Sequence, residues 1–208
     1  MDLTQCYKYY MSLLENAGSV KYVHNVKDLS FAFPICTFTG HRPSKFPFRG
    51  ESDPACLRLR SRIGEAVEKA YADGYRDFLC GMALGVDTWA AMEVLRLKYI
   101  HRDVNLYAAV PYLSQASRWY AWERERYTDI LKLCERVFVV CEVPSRQAPV
   151  IRDAFMVSHS SRIIAVYDGS NTGGTATTYK MAQKKGIEIV RIDPKDVLPD
   201  ISSPINEK

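Results

Sequence analysis

The sequence predicts an α/β protein: a Rossmann-like three-layer sandwich with a mainly parallel sheet and helices on both faces. Three observations carry that expectation. Short apolar runs alternate with helix-length amphipathic segments from about residue 33 to residue 192, the order in which helical crossovers join parallel strands. The runs are apolar throughout rather than alternating, as strands covered on both faces require. Glycine-rich turns fall between a run and the helix after it, at the sheet edge where such folds bind ligands.

Each element has its own signal. Residues 1–30 read as an N-terminal helical extension, because Leu3, Tyr7, Tyr10, Met11 and Leu14 share one helical face and Gly18 ends it. The nucleotide-binding domain, residues 31–194, opens with an apolar strand over 33–39. A helix over 54–72 follows, with Leu57, Leu59, Ile63, Ala66, Val67 and Ala70 as its apolar positions and Gly74 as its stop. The alternation continues as strand 76–80, helix 86–99, strand 105–110 ended by Pro111, helix 116–133 and strand 136–141. It closes with helix 148–159, strand 163–167, helix 174–185 ended by Gly186, and strand 187–192. Residues 195–208 read as a polar C-terminal tail.

At 208 residues the chain is long enough for one domain with its own core. A net charge of +4, with no block of Lys or Arg, admits an anionic ligand and argues against a nucleic-acid surface. The six cysteines (6, 36, 56, 80, 134 and 141) contain no CxxC pair. No metal is therefore expected, and free thiols in a reducing compartment are. No apolar run reaches 18 residues and the N-terminus has no signal-peptide core, so the expectation is a cytoplasmic protein with no membrane contact.

The chemistry-bearing residues fall just after the strands. The first strand runs into Thr39-Gly40-His41-Arg42-Pro43 and the second into GMALGVD, residues 81–87. The fifth runs into a loop that ends in NTGGTATT, residues 171–178. Gly81 and Gly85, and again Gly173 and Gly174 with Thr175 and Thr177, stand where a helix begins, so unpaired backbone N–H groups and the helix dipole favour an anion there. Arg42 offers a bidentate phosphate contact, and His41 a hydrogen bond or a proton near neutral pH. Asp87 reads equally well as a site carboxylate and as a helix cap. Tyr112 and Trp119 are candidate platforms for a base, whereas Trp122 is expected in the core.

Three segments together, CTFTGHRPSKF, GMALGVDTWAA and RIIAVYDGSNTGGTATT, resemble the YpsA-like family of the SLOG superfamily, over about residues 34 to 193. That superfamily also holds the DNA-processing protein A and Lonely Guy phosphoribohydrolase families. The resemblance implies a Rossmann-like fold, a pocket for a nucleotide or nucleotide derivative, and a homodimer; it implies no particular reaction. The Lonely Guy enzymes carry an Arg four residues before a Met, matched here by Arg152 and Met156, and the motif Pro-Gly-Gly-x-Gly-Thr-x-x-Glu. Gly173, Gly174 and Thr177 match that motif; Thr172, Ala176 and Lys180 replace its Pro, third Gly and Glu. The loss of the Glu argues against that hydrolysis unless Asp87 or Glu142 substitutes. The DNA-processing motif Ser-Gly-x-Ala-Arg-Gly-Ile-Asp keeps its glycines and Asp87, with Leu84 in place of the Arg.

Three functions compete on this reading. The first is binding or sensing of a nucleotide-like ligand, an ADP-ribose or NAD derivative, with phosphates at the glycine loops and neutralised by Arg42 and Arg152. No further cofactor is required. The second is an N-glycosidic-bond hydrolase using His41 and Asp87 as catalytic groups. The third, association with single-stranded DNA, is disfavoured by Leu84 and by the modest charge.

Overall fold

The computed structural model describes residues 18–24, 26 and 31–197. Seven parallel strands form one sheet: β1 (Tyr22–Val23), β2 (Ile35–Gly40), β3 (Asp77–Cys80), β4 (Asn105–Val110), β5 (Arg136–Val139), β6 (Arg162–Val166) and β7 (Glu188–Ile192). Among the described residues, five helices connect them: α1 (Pro54–Ala72), α2 (Val86–Ile100), α3 (Ala121–Leu133), α4 (Ala148–His159) and α5 (Gly174–Lys185). This is the three-layer Rossmann-like sandwich expected from the alternation.

The strand order is β1-β5-β4-β3-β2-β6-β7. From β2 the chain steps through β3 and β4 to β5 in one direction, then returns across the sheet to place β6 on the other side of β2. Right-handed crossovers put the helices of the outward march on one face and those of the return on the other. Packing agrees: Cys36, Phe38, Phe78 and Cys80 bury against Leu59, Ile63, Val94 and Ile130 of α1, α2 and α3. Their strand neighbours Ile35 and Leu79 bury with Phe155 and Met156 of α4. Val157 of α4 and Ala182 of α5 close over Ile163. Alternate residues of one strand thus feed two cores, which is why the strands are apolar at every position.

Local chemistry sets the helix ends. Asp53 caps α1 by accepting from the Ala55 N–H at 2.9 Å, with Pro54 at its first position. Gly186, at φ +75°, stops α5 in the left-handed conformation that lacks a Cβ penalty.

Several sequence expectations shift. Helix α3 starts at Ala121 rather than 116, because residues 112–120 spend their backbone bonds on successive i→i+3 turns, Gln115 to Tyr112, Ser117 to Ser114 and Trp119 to Ala116. The Glu123 carboxylate accepts from the Tyr120 N–H at 2.9 Å and fixes the later start. Trp122, expected in the core, then falls on the outer side of the first turn, 53% exposed, with the Arg126 guanidinium 5.0 Å over its ring. Leu57, expected on the apolar face of α1, is exposed; its buried face is Cys56, Leu59, Ile63, Val67 and Ala70. The helix expected over residues 3–14 lies outside the described residues. Within 18–30, Tyr22 and Val23 form an edge strand paired with Val137 and Phe138 of β5. The expected polar tail begins with a 3₁₀ turn at Pro194–Val197, and the rest of it lies outside the described residues.

Candidate functional site

The direction of the strand march reverses between β2 and β6, which leaves a crevice beyond their carboxyl ends. A cleft of about 390 Å³ opens there. Thr39, Gly40, His41 and Arg42 enter it from the end of β2, Asp168 from the end of β6, and Gly173, Gly174 and Thr175 from the start of α5. Asp87 of α2 and Arg152 with Asp153 of α4 form its floor.

His41 ties these segments together. Its Nε2 lies 3.1 Å from Asp168 Oδ1, close enough for ion pairing though off the line of a hydrogen bond. Its Nδ1 lies 3.4 Å from Thr175 Oγ1. The Asp168 carboxyl is held down to about 2, chiefly by the Ser170 backbone N–H it accepts from, with smaller help from the Ser170 hydroxyl and His41. Asp168 is therefore an ionised acceptor at neutral pH.

The floor is a buried charge cluster. Arg152 Nε donates to Asp153 Oδ1 at 2.7 Å, and Nη1 donates to the Gly81 carbonyl and lies 3.8 Å from Asp87 Oδ2. Burial opposes the charge on Arg152, but Asp153 and Asp87 outweigh it and keep the guanidinium ionised. Nη2 makes no hydrogen bond to a described residue. Asp87 is less well compensated: burial pushes its carboxyl up to about 6 against the pull of Arg152 and of the Ala83 N–H, which donates to it at 3.1 Å. The sequence left Asp87 between helix cap and site carboxylate; the structure shows no side-chain cap on α2, and Asp87 instead closes the 81–87 turn through the Ala83 N–H and lines the cleft.

The glycines divide into two kinds. A Cβ on Gly40 would meet three side-chain carbons of buried Val86 at 2.5 Å; one on Gly81 would meet the Arg152 guanidinium at 2.3 Å. Gly85, at φ +91°, would place a Cβ 2.7 Å from Pro43 Cδ. These three are demanded by packing inside the protein, and Gly81 and Gly85 do not line the cleft. Gly173, at φ +98°, and Gly174 have nothing within 4 Å of a Cβ. They stand on the crevice side of α5, whose first turn has no side-chain cap. Thr177 turns away: its hydroxyl donates to Gly173 O at 3.1 Å. Lys180, at the position of the phosphoribohydrolase Glu, donates to Asn171 O at 3.2 Å and braces the same loop.

Tyr112 and Trp119 do not enter this cleft. They line a second chamber of about 620 Å³, which shares Arg42, Ala83, Pro149 and Arg152 with the first. The two chambers thus meet in one continuous groove. Trp119 also packs edge-on against Tyr127 at 5.2 Å, so one side of its ring belongs to the core. Glu142 is exposed and lines neither chamber.

Two acids with no role assigned from the sequence, Asp153 and Asp168, complete the cleft. Asp168 carried a faint signal: a carboxylate directly after a strand, two residues before a serine, is the pattern of an Asx turn. Asp153 carried none, because its burial depends on α4 meeting α5, where the Thr178 hydroxyl donates to it at 2.8 Å.

Parallel strands, helices on both faces and a crevice at the reversal of strand order define a Rossmann-like α/β protein with its candidate site at the switch point. Within that class the chain belongs to the YspA SLOG family, whose model matches residues 36–197. Similar proteins include UPF0398 proteins of Halalkalibacterium halodurans, 24% identical over 153 residues (73% of this chain and 81% of the relative). Others are those of Brevibacillus brevis, 24% over 165 residues (76% and 88%), and Bacillus cereus strain G9842, 24% over 154 residues (73% and 84%).

Proposed function

We propose that this protein binds or senses a nucleotide-like ligand, of the ADP-ribose or NAD-derivative class, in the groove beyond β2 and β6. The observation that carries the reading is the start of α5. Gly173 and Gly174 have open space where side chains would stand, and the uncapped first turn faces the crevice, so a phosphate can approach backbone N–H groups directly. Arg42 is exposed at the junction of the two chambers and supplies a guanidinium to that phosphate. Asp168, ionised and partly exposed, accepts from sugar hydroxyls. Tyr112 or Trp119 packs the base. The chambers, about 390 and 620 Å³, lie within the usual range of ligand sites.

The test is a thermal-shift and calorimetry panel of AMP, ADP-ribose, NAD and ribose 5-phosphate. A ligand at about 100 times its dissociation constant adds about 2.7 kcal/mol of stability. Failure of every nucleotide to shift the melting temperature refutes the reading.

One observation favours hydrolysis as a second reading: His41 sits between Asp168 and Thr175, in the same cleft as Asp87, whose carboxyl is pushed up to about 6. Ionised Asp168 can then accept a proton, and the raised Asp87 carboxyl can hold one below about pH 6. Chromatography of a bound nucleotide after incubation separates the readings. Steady release of base, abolished in His41→Ala or Asp87→Asn, makes the protein an enzyme.

A further inference from the structure

The two chambers of the groove differ in charge. The first is mixed, with Asp87, Asp153 and Asp168 facing Arg42, Lys45 and Arg152. The second is lined by four arginines, Arg42, Arg118, Arg146 and Arg152, and by no acidic residue. Arg118 and Arg146 enter it only there, from the 112–120 turns and from the segment leading into α4. Both are exposed, and neither makes an ion pair or a hydrogen bond through its side chain to a described residue. Several arginines elsewhere are engaged with acids, Arg76 with Asp103, Arg96 with Glu68 and Glu93, Arg126 with Glu51, Arg162 with Asp73 and Glu188, and Arg191 with Asp193, and Arg58 and Arg124 donate to backbone carbonyls. Arg152 is paired with Asp153, but Arg118 and Arg146, with no carboxylate partner among the described residues and beside an aromatic wall, suit an anion attached to a flat ring system.

We propose that this chamber is a second anion subsite, and that the ligand is a nucleotide with a further phosphate on the ribose nearest its base. The base packs on Tyr112 or Trp119, Arg118 and Arg146 clamp the extra phosphate, and the remaining phosphates lie at α5. This rests on the nucleotide reading above and narrows it to phosphorylated forms, such as NADP over NAD or adenosine 3′,5′-bisphosphate over AMP.

The experiment compares the wild-type chain with the double variant Arg118→Ala/Arg146→Ala, two exposed changes. Calorimetry with inorganic pyrophosphate probes the subsites without a nucleoside; the wild type binds two equivalents and the variant one. NADP binds the wild type about 10-fold or more tightly than NAD, about 1.4 kcal/mol, and the ratio falls to near one in the variant. Retention of both pyrophosphate equivalents by the variant overturns the proposal. So does a wild type with no preference for NADP, or a preference that survives in the variant. If the wild type binds a single equivalent and the variant none, the arginine subsite stands while the phosphate at α5 falls. Salt-sensitive binding of an oligothymidylate, lost in the variant, assigns the chamber to a nucleic-acid strand and overturns the nucleotide proposal.

Discussion

Replacing Asp87 by Asn tests the charge balance on the floor of the cleft. Asp87 is 7% exposed, and its ion-pair partner, Arg152, is drawn to Asp153 at 2.7 Å and left 3.8 Å from Asp87. Burial therefore wins, and the carboxyl moves from 3.8 to about 6. At about 1.36 kcal/mol per pH unit, that shift costs the folded state on the order of 3 kcal/mol once the group is ionised. The sign follows from proton uptake. Between the two values the native state holds a proton that the unfolded chain has released, so stability falls as pH rises through about 6. About 2 kcal/mol of the loss falls between roughly pH 4.5 and pH 7.5. Asn keeps the shape and can still accept from the Ala83 N–H, but it cannot titrate. Urea denaturation of both proteins at the two pH values separates these effects, since any cost of the Asn itself is the same at both. The wild type should lose about 2 kcal/mol more than Asp87→Asn on going to the higher pH. Parallel stability–pH curves would refute the argument that Asp87 is undercompensated. The same protonation removes a negative charge from the cleft, so on going from about pH 7.5 to about pH 5.5 the affinity for a phosphate probe should change more favourably in the wild type than in Asp87→Asn, the probe's own titration being common to both.

Three further outcomes follow from the geometry. Gly40→Ala drives a Cβ to 2.5 Å from Val86, itself 1% exposed with no room to yield; overpacking of this kind costs about 1–3 kcal/mol, and an unchanged urea midpoint contradicts the packing reading of Gly40. Gly174→Ala adds a Cβ that meets no protein atom within 4 Å, so stability should move by no more than ~1 kcal/mol while affinity for a phosphate-bearing probe drops; retained affinity places the phosphate elsewhere. In a Cys6→Ser background, a thiol reagent should label half-buried Cys141 first, and Cys36, Cys56, Cys80 and Cys134 only on unfolding, because they are buried and burial raises their thiol pKa values. Mass spectrometry of the labelled native protein decides this.

Local signals were strong enough to place most elements. Asp53-Pro54 and Gly74 bracket α1, Gly186 ends α5, and continuous apolar runs mark strands covered on both faces; each depends on neighbours in the chain. Where a boundary failed, at α3, two descriptions of residues 112–133 competed. Apolar spacing continues smoothly back to Ala116, but Ser114 and Ser117 sit in turns that use the same backbone groups, and only the geometry chose between them. The fate of Trp122 followed from that choice.

By itself, the sequence determined the fold class, the family and the sheet edge at which glycine turns and His41 and Arg42 gather, because strand–helix alternation and turn chemistry are written in consecutive residues. The tertiary structure decided what those residues do to one another. It showed that Gly40 makes room for Val86 while Gly173 and Gly174 leave space open, a distinction set by what lies across the crevice. It brought Asp168 to His41 and Asp153 to Arg152. It also separated a chamber of mixed charge from an arginine-lined one. Burial, charge compensation and close approach arise between segments far apart in the chain, and they exist only once β6 has returned to lie beside β2.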